Sequence, residues 1–89
     1  MMCNAQELRY LNVAMNQICR FENLEGCESL EKLDVTLNRI EAAELPTLAS
    51  LQGNRHLRTL YLLGNPCTNW PEHRLFAIAT LPQLQHLVS

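Results

Sequence analysis

The chain has 89 residues, 47% of them hydrophobic and 18% charged, with a formal net charge of -2 at pH 7. This bounds it to one small domain with the apolar content of a folded protein, and without the basic excess that sequence-independent nucleic-acid binding requires. No apolar run approaches a membrane span, and the start, Met1-Met2-Cys3-Asn4-Ala5-Gln6-Glu7, has neither the basic residues nor the apolar stretch of a signal peptide. We therefore expect a cytoplasmic protein that does not engage membranes.

The first element is Leu8-Arg9-Tyr10-Leu11-Asn12-Val13-Ala14-Met15-Asn16-Gln17-Ile18. Its alternation predicts a short strand with Leu11 and Val13 facing inward and Tyr10, Asn12 and Ala14 outward. Between 17 and 29, Ile18, Phe21 and Leu24 recur every three residues, which suits a tight 3₁₀-like return. A second copy of the pattern follows: Leu30-Glu31-Lys32-Leu33-Asp34-Val35-Thr36-Leu37-Asn38-Arg39-Ile40. Its return is five residues longer and holds Leu45-Pro46-Thr47-Leu48-Ala49-Ser50-Leu51-Gln52-Gly53, read as one or two helical turns between Pro46 and Gly53. The third copy is Leu57-Arg58-Thr59-Leu60-Tyr61-Leu62-Leu63-Gly64-Asn65-Pro66-Cys67. Beyond it, Pro71 and Glu72 are read as opening a helix whose apolar face carries Leu75, Phe76, Ile78 and Ala79, ended by Leu81-Pro82. Trp70 is read as core. A fourth start, Leu84-Gln85-His86-Leu87, reaches the last residue, Ser89, before the pattern completes.

The shared pattern L-x-x-L-x-L-x-x-N, with Val allowed at the third apolar position, is the leucine-rich-repeat signature. Its starts at 8, 30, 57 and 84 give periods of 22, 27 and 27 residues. The expected fold is an α/β solenoid, right-handed, with parallel strands on a concave face, short helices or 3₁₀ turns on the convex face and a C-terminal capping helix. One domain is expected over 1–89, with repeats beginning near 8, 30 and 57 and a cap over 66–89. The asparagines Asn16, Asn38 and Asn65 are expected to stack as a ladder bonding the backbone where the chain leaves each strand.

Outward strand positions fall in columns across repeats: Tyr10, Lys32, Thr59 and His86; Asn12, Asp34, Tyr61 and Val88; Ala14, Thr36 and Leu63. Two tyrosines among small and apolar residues make a strip suited to protein binding. The candidate partner-binding residues are Tyr10, Asn12, Lys32, Asp34, Thr36, Thr59, Tyr61 and Leu63, with Met15 and Leu37 partly exposed beside them. Chemistry finds no foothold. The three glycines, Gly26, Gly53 and Gly64, are too scattered for a phosphate loop. Cys67 with His73 or His56 could form a nucleophile and base, but Cys67 lies in the turn that begins the cap. The four cysteines show neither C-x-x-C nor zinc-ligand spacing, and we expect reduced thiols, no metal, no cofactor and no small-molecule substrate.

The run 8–40, with Asn23-Leu24-Glu25-Gly26-Cys27-Glu28 at its centre, resembles the second half of the repeat domain of the touch-insensitive-larva-B (tilB) proteins, cytoplasmic factors for assembling axonemal dynein arms. The resemblance continues through Leu33-Asp34-Val35-Thr36-Leu37-Asn38 and Leu62-Leu63-Gly64-Asn65-Pro66-Cys67 to Arg74-Leu75-Phe76-Ala77-Ile78-Ala79-Thr80-Leu81-Pro82-Gln83-Leu84. It implies a protein-interaction scaffold in dynein-arm preassembly that binds dynein subunits or assembly co-chaperones and works in the cytoplasm or at the cilium or flagellum. The alternatives are a ribonucleoprotein component like the spliceosomal A-prime protein and a phosphatase-regulating repeat protein, whose caps are similar. Family members carry further repeats before this region. The strand holding Leu11 and Val13 is therefore expected as an unpaired edge, prone to self-association unless the segment 1–7 folds over it.

Overall fold

The structure, a computed structural model, describes residues 5–89. Cys3 and the rest of the segment 1–4, expected to bear on the open end, lie outside the described residues. Four three-residue strands form one parallel sheet in the order β1 (Tyr10–Asn12), β2 (Lys32–Asp34), β3 (Thr59–Tyr61) and β4 (His86–Val88). The register aligns Tyr10, Lys32, Thr59 and His86, then Leu11, Leu33, Leu60 and Leu87, then Asn12, Asp34, Tyr61 and Val88. The incomplete fourth start is thus a full strand of the sheet.

Behind the sheet, Leu30, Leu33, Val35, Ile40, Leu57, Leu60 and Leu62 are fully buried. The first return does not form a continuous 3₁₀ helix. It makes two consecutive turns, in which the Cys27 N–H donates to the Leu24 carbonyl and the Leu30 N–H to the Cys27 carbonyl. The period of three survives as burial of Phe21, Leu24, Cys27 and Leu30. The second return is a 3₁₀ helix over Ala42–Leu51, starting four residues before Pro46 and ten residues long. Leu45, Leu48 and Leu51 are all buried on it, and with three residues per turn their side chains line up on one face. The irregular backbone at Phe21 is held by this helix. Its N–H donates to Thr47 Oγ1 (3.0 Å), and its carbonyl accepts from Ser50 Oγ (3.0 Å). Cys27 is disulfide-bonded, whereas Cys19 and Cys67 are free thiols. This corrects the expectation of reduced thiols throughout, since pairing depends on which residues folding brings together and not on their spacing in sequence.

After β3 comes a second 3₁₀ helix, Pro66–Asn69, and then α1, His73–Thr80. Glu72 occupies the N-cap position, so the helix begins two residues later than Pro71 suggested. Its buried side is also not the expected one. His73 and Ala77 are buried and Phe76 and Thr80 half-buried, a stripe at i, i+3, i+4 and i+7, while Leu75 is 71% and Ile78 49% exposed. Trp70 stands at the surface and not in the core, its ring centroid 6.0 Å from that of Phe76. α1 packs against both 3₁₀ helices and so closes the return side of the stack.

The asparagine ladder joins these layers. Asn38 Nδ2 donates to the carbonyls of Val13 (3.0 Å), Val35 (2.8 Å) and Thr36 (3.3 Å), and its Oδ1 accepts the Ile18 N–H (3.0 Å). Asn65 repeats this one layer on, with Val35, Leu62 and Leu63 as acceptors and the Ile40 N–H as donor. Among the described residues Asn16 bonds only within its own repeat, to Val13 and Ala14, and it is exposed. Replacing Asn38 with Ala strands a buried N–H and several carbonyls, and is expected to cost about 3 kcal/mol in urea unfolding, against less than about 1 kcal/mol for Asn16→Ala. Equal costs at the two positions would overturn the assignment of stability to the inter-repeat bonds.

Candidate protein-binding face

The outward sides of β1 to β3 carry the candidate residues, and the register places them in adjacent columns. Tyr10, Asn12, Lys32 and Leu63 are exposed, and Asp34, Thr36 and Tyr61 half-buried, while Thr59 is buried and offers little contact surface. Arg9, Tyr10, Glu31, Lys32 and Tyr61 line a groove of about 280 Å³ across the first three strands. Arg9 and Glu31 approach to 3.7 Å at its rim, an exposed pair worth little in stability.

Two polar members of the strip have local work. Asp34 Oδ1 accepts the Thr36 N–H (2.9 Å) and the Thr36 hydroxyl (2.5 Å), and Asn12 Oδ1 accepts the Ala14 N–H (3.0 Å). These Asx-type turns bend the chain out of each strand. Substituting Asp34 would therefore disturb the turn as well as the face, whereas the Tyr61 ring can be removed more cleanly.

The turn that follows carries a feature whose weight sequence reasoning underestimated. Met15 and Leu37, each just before a ladder asparagine, have φ of 57°, and Gly64 at the equivalent third position has φ of 73°. Left-handed backbone favours Gly or Asn, yet here two large apolar residues adopt it. Met15 is 76% exposed, Leu37 53% and the neighbouring Leu63 42%. Met15 and Leu37 hold equivalent positions in adjacent repeats, one strand spacing of ~4.8 Å apart, and Leu63 stands one residue before their equivalent Gly64. The signal in the sequence was the recurrence of residues other than Gly or Asn at the position before the ladder.

Burial pushes the Cys67 thiol up from its ordinary value, which keeps it protonated and unreactive. His73 has both ring nitrogens engaged, Nδ1 2.8 Å from the Trp70 carbonyl and Nε2 2.8 Å from Ser89 Oγ, so neither is directed at that thiol. Among the described residues no group of three or more His, Cys, Asp or Glu is placed to hold a metal ion, and no helix is long and apolar enough to cross a membrane.

A parallel sheet of L-x-L strands, joined by a buried asparagine ladder and short 3₁₀ returns, defines a leucine-rich-repeat domain. A Leucine Rich repeat family profile matches residues 26–43. Protein tilB of Drosophila melanogaster is 58% identical, with 92% of this chain and 26% of that protein covered. Dynein axonemal assembly factor 11 of Mus musculus is 50% identical (92% and 17% covered), and that of Trypanosoma brucei brucei 46% identical (90% and 20% covered). The chain belongs to this family, that of tilB and dynein axonemal assembly factor 11, and spans between 17% and 26% of the length of these three relatives. Among solved structures, that of the Chaetomium Mex67:Mtr2 subunits superposes with a TM-score of 0.70 at 26% identity, covering 90% of this chain and 53% of that one.

Two measurements check these local assignments. Gly64→Ala would place a Cβ 2.5 Å from Leu37 Cδ2 in a left-handed backbone. It is expected to cost about 1–2 kcal/mol in denaturant unfolding, of which Leu37→Ala returns the steric part and leaves about 1 kcal/mol of backbone strain. A thiol reagent under native conditions should label Cys19 quickly and Cys67 only as the domain unfolds. Equal rates would place Cys67 at the surface.

Proposed function

We propose that this chain is a non-enzymatic protein-interaction scaffold in the assembly of axonemal dynein arms, acting in the cytoplasm and serving motile cilia or flagella. In this reading residues 1–89 act as a single leucine-rich-repeat domain, with repeats opening near 8, 30 and 57 and a cap over 66–89. The observation that carries it is the 58% and 50% identity to relatives named tilB and dynein axonemal assembly factor 11, each over 92% of the chain. The surface supports the same reading, since it offers an aromatic and apolar strip.

The binding face is the strip of Tyr10, Asn12, Lys32, Asp34, Thr36, Tyr61 and Leu63, without the covered Thr59, extended by the exposed Met15 and Leu37. Tyr10 and Tyr61 anchor it, because an aromatic side chain contributes large contact area at low entropic cost. Strain retained at exposed apolar residues is common where a surface is kept for recognition. The partners in this reading are dynein subunits or their assembly chaperones.

The test is affinity capture with this chain from a lysate of ciliated or flagellated cells, with Tyr61→Ala alongside. Dynein chains or assembly chaperones are expected in the capture, reduced about tenfold for Tyr61→Ala, with unfolding of the variant checked separately. Recovery of only spliceosomal or phosphatase proteins would overturn the reading, and undiminished capture by the folded variant would move the site off this face.

A further inference from the structure

Charge is spread unevenly over this chain. Of its nine Asp and Glu residues, Glu22, Glu25, Glu28, Glu41 and Glu44 stand on the two returns, away from the concave face. The outward strand positions and the residues just before them hold Arg9, Lys32 and Arg58 against Glu31 and Asp34. Both of those carboxylates are engaged. Glu31 lies 3.7 Å from Arg9, and one oxygen of Asp34 accepts the N–H and the hydroxyl of Thr36. Among the described residues neither Lys32 nor Arg58 has a carboxylate at ion-pair distance, and Arg58 directs Nη1 to the carbonyls of Arg55, Leu57 and Gln83. A chain of net charge -2 thus presents a locally cationic face.

Lys32 is the centre of that face. It is exposed at the start of β2, an inner strand paired with β1 on one side and β3 on the other. Tyr10 is its direct cross-strand partner, and Tyr61, opposite Asp34, is its diagonal neighbour. The three side chains line one groove, with Arg9 and Glu31 completing its wall. Among the described residues neither the Lys32 ammonium nor either tyrosine hydroxyl has a polar partner. An ammonium offers three N–H donors and no acceptor, and each phenol adds an O–H. The groove therefore calls for an anionic acceptor. A phosphate, with nearly twice the charge of a carboxylate, calls for a guanidinium fork or several cations, and the one guanidinium here is turned to Glu31. A single free ammonium with two hydroxyl donors matches one carboxylate.

We propose that this groove takes an acidic side chain from an extended segment of a partner protein, its carboxylate held by Lys32 and by the Tyr10 and Tyr61 hydroxyls. The two rings pack along the stem of that side chain and keep water from the ion pair, which strengthens it. Glu31 sets the limit on affinity. It is the one carboxylate lining the groove, and its pairing with Arg9 offsets most of its repulsion toward an incoming anion. The inference deepens the reading of the concave strip as the binding face and rests on it, but not on which assembly the partner belongs to.

Titration of the 89-residue chain with an oligoglutamate peptide, followed through its backbone amide NMR shifts, tests this. Binding is expected with a Kd of about 1 mM or tighter, centred on the amides of Tyr10, Lys32 and Tyr61 and weakening as salt rises. A glycine–serine peptide of the same length should leave the spectrum unchanged. Lys32→Gln should weaken binding about tenfold and Tyr61→Phe about threefold, while Lys32→Arg retains it and Glu31→Gln tightens it. If a variant fails to fold, the shift map of the unaltered chain decides alone. No shifts up to about 10 mM peptide overturn the proposal, as do shifts centred on the return side or equal binding by folded Lys32→Gln. Inorganic phosphate that displaces the peptide at equal concentration overturns the carboxylate in favour of a phosphate group. Failure here is distinct from failure of the lysate capture, because that experiment reports which proteins bind and this one reports the chemistry of the contact.

Discussion

The amide of Asn38, and that of Asn65 one layer on, is the interaction on which the rest of this molecule depends. A three-residue strand is too short to hold a sheet by its ladder bonds alone, and the chain must leave each strand through a turn whose peptide groups pair with nothing regular. One buried side chain meets both needs. Its Nδ2 ties the carbonyl after its own strand to the equivalent carbonyl of the repeat before, and its Oδ1 takes up the N–H that starts that repeat's return. Because the same bonds recur at 38 and 65, the strands stack in one register, and the outward residues fall into columns without any contact between those residues having to specify it.

The return side uses the same economy with different side chains. Thr47 and Ser50 clamp both polar groups of Phe21, Asn54 donates to the Leu24 and Cys27 carbonyls, and Gln83 donates to the Leu51 and Asn54 carbonyls. Irregular backbone can be buried in this fold because each layer supplies the donors and acceptors that the previous layer lacks. α1 packs on both 3₁₀ helices, and from it Arg74 reaches the Leu87 carbonyl while Arg74 and His73 both reach Ser89 Oγ.

The surface that remains is uneven in a way that bears on function. The ladder requires a sharp exit from each strand, and that exit forces a left-handed residue just before the asparagine. At 64 the residue is glycine. At 15 and 37 it is an apolar side chain standing in water, which neither stability nor solubility favours. An aromatic and apolar strip beside these exposed side chains is the arrangement that the proposed scaffold role calls for. The relatives named for dynein assembly are consistent with that role.

Much of this was legible in the residues. Leu and Asn at fixed offsets imply inward strands and a ladder, because only one geometry buries all of them, and the columns of Tyr10, Lys32 and Thr59 and of Asn12, Asp34 and Tyr61 follow from alternation alone. What the chain did not reveal was decided by neighbours distant in sequence. Leu75 and Ile78 look like the buried face of a helix, yet His73 and Ala77 are buried instead, because the 3₁₀ helices meet α1 on that side. Thr59 alternates outward and is still covered. Cys27 pairs without any spacing motif. Asp34 reads as a free surface charge until the fold closes its turn onto Thr36. Sequence by itself determined the repeat, its register and its family, since those rest on periodicity along one chain. Tertiary structure alone decided which faces meet, which outward residue is covered and which carbonyl Arg74 reaches, since those depend on contacts between segments distant in sequence.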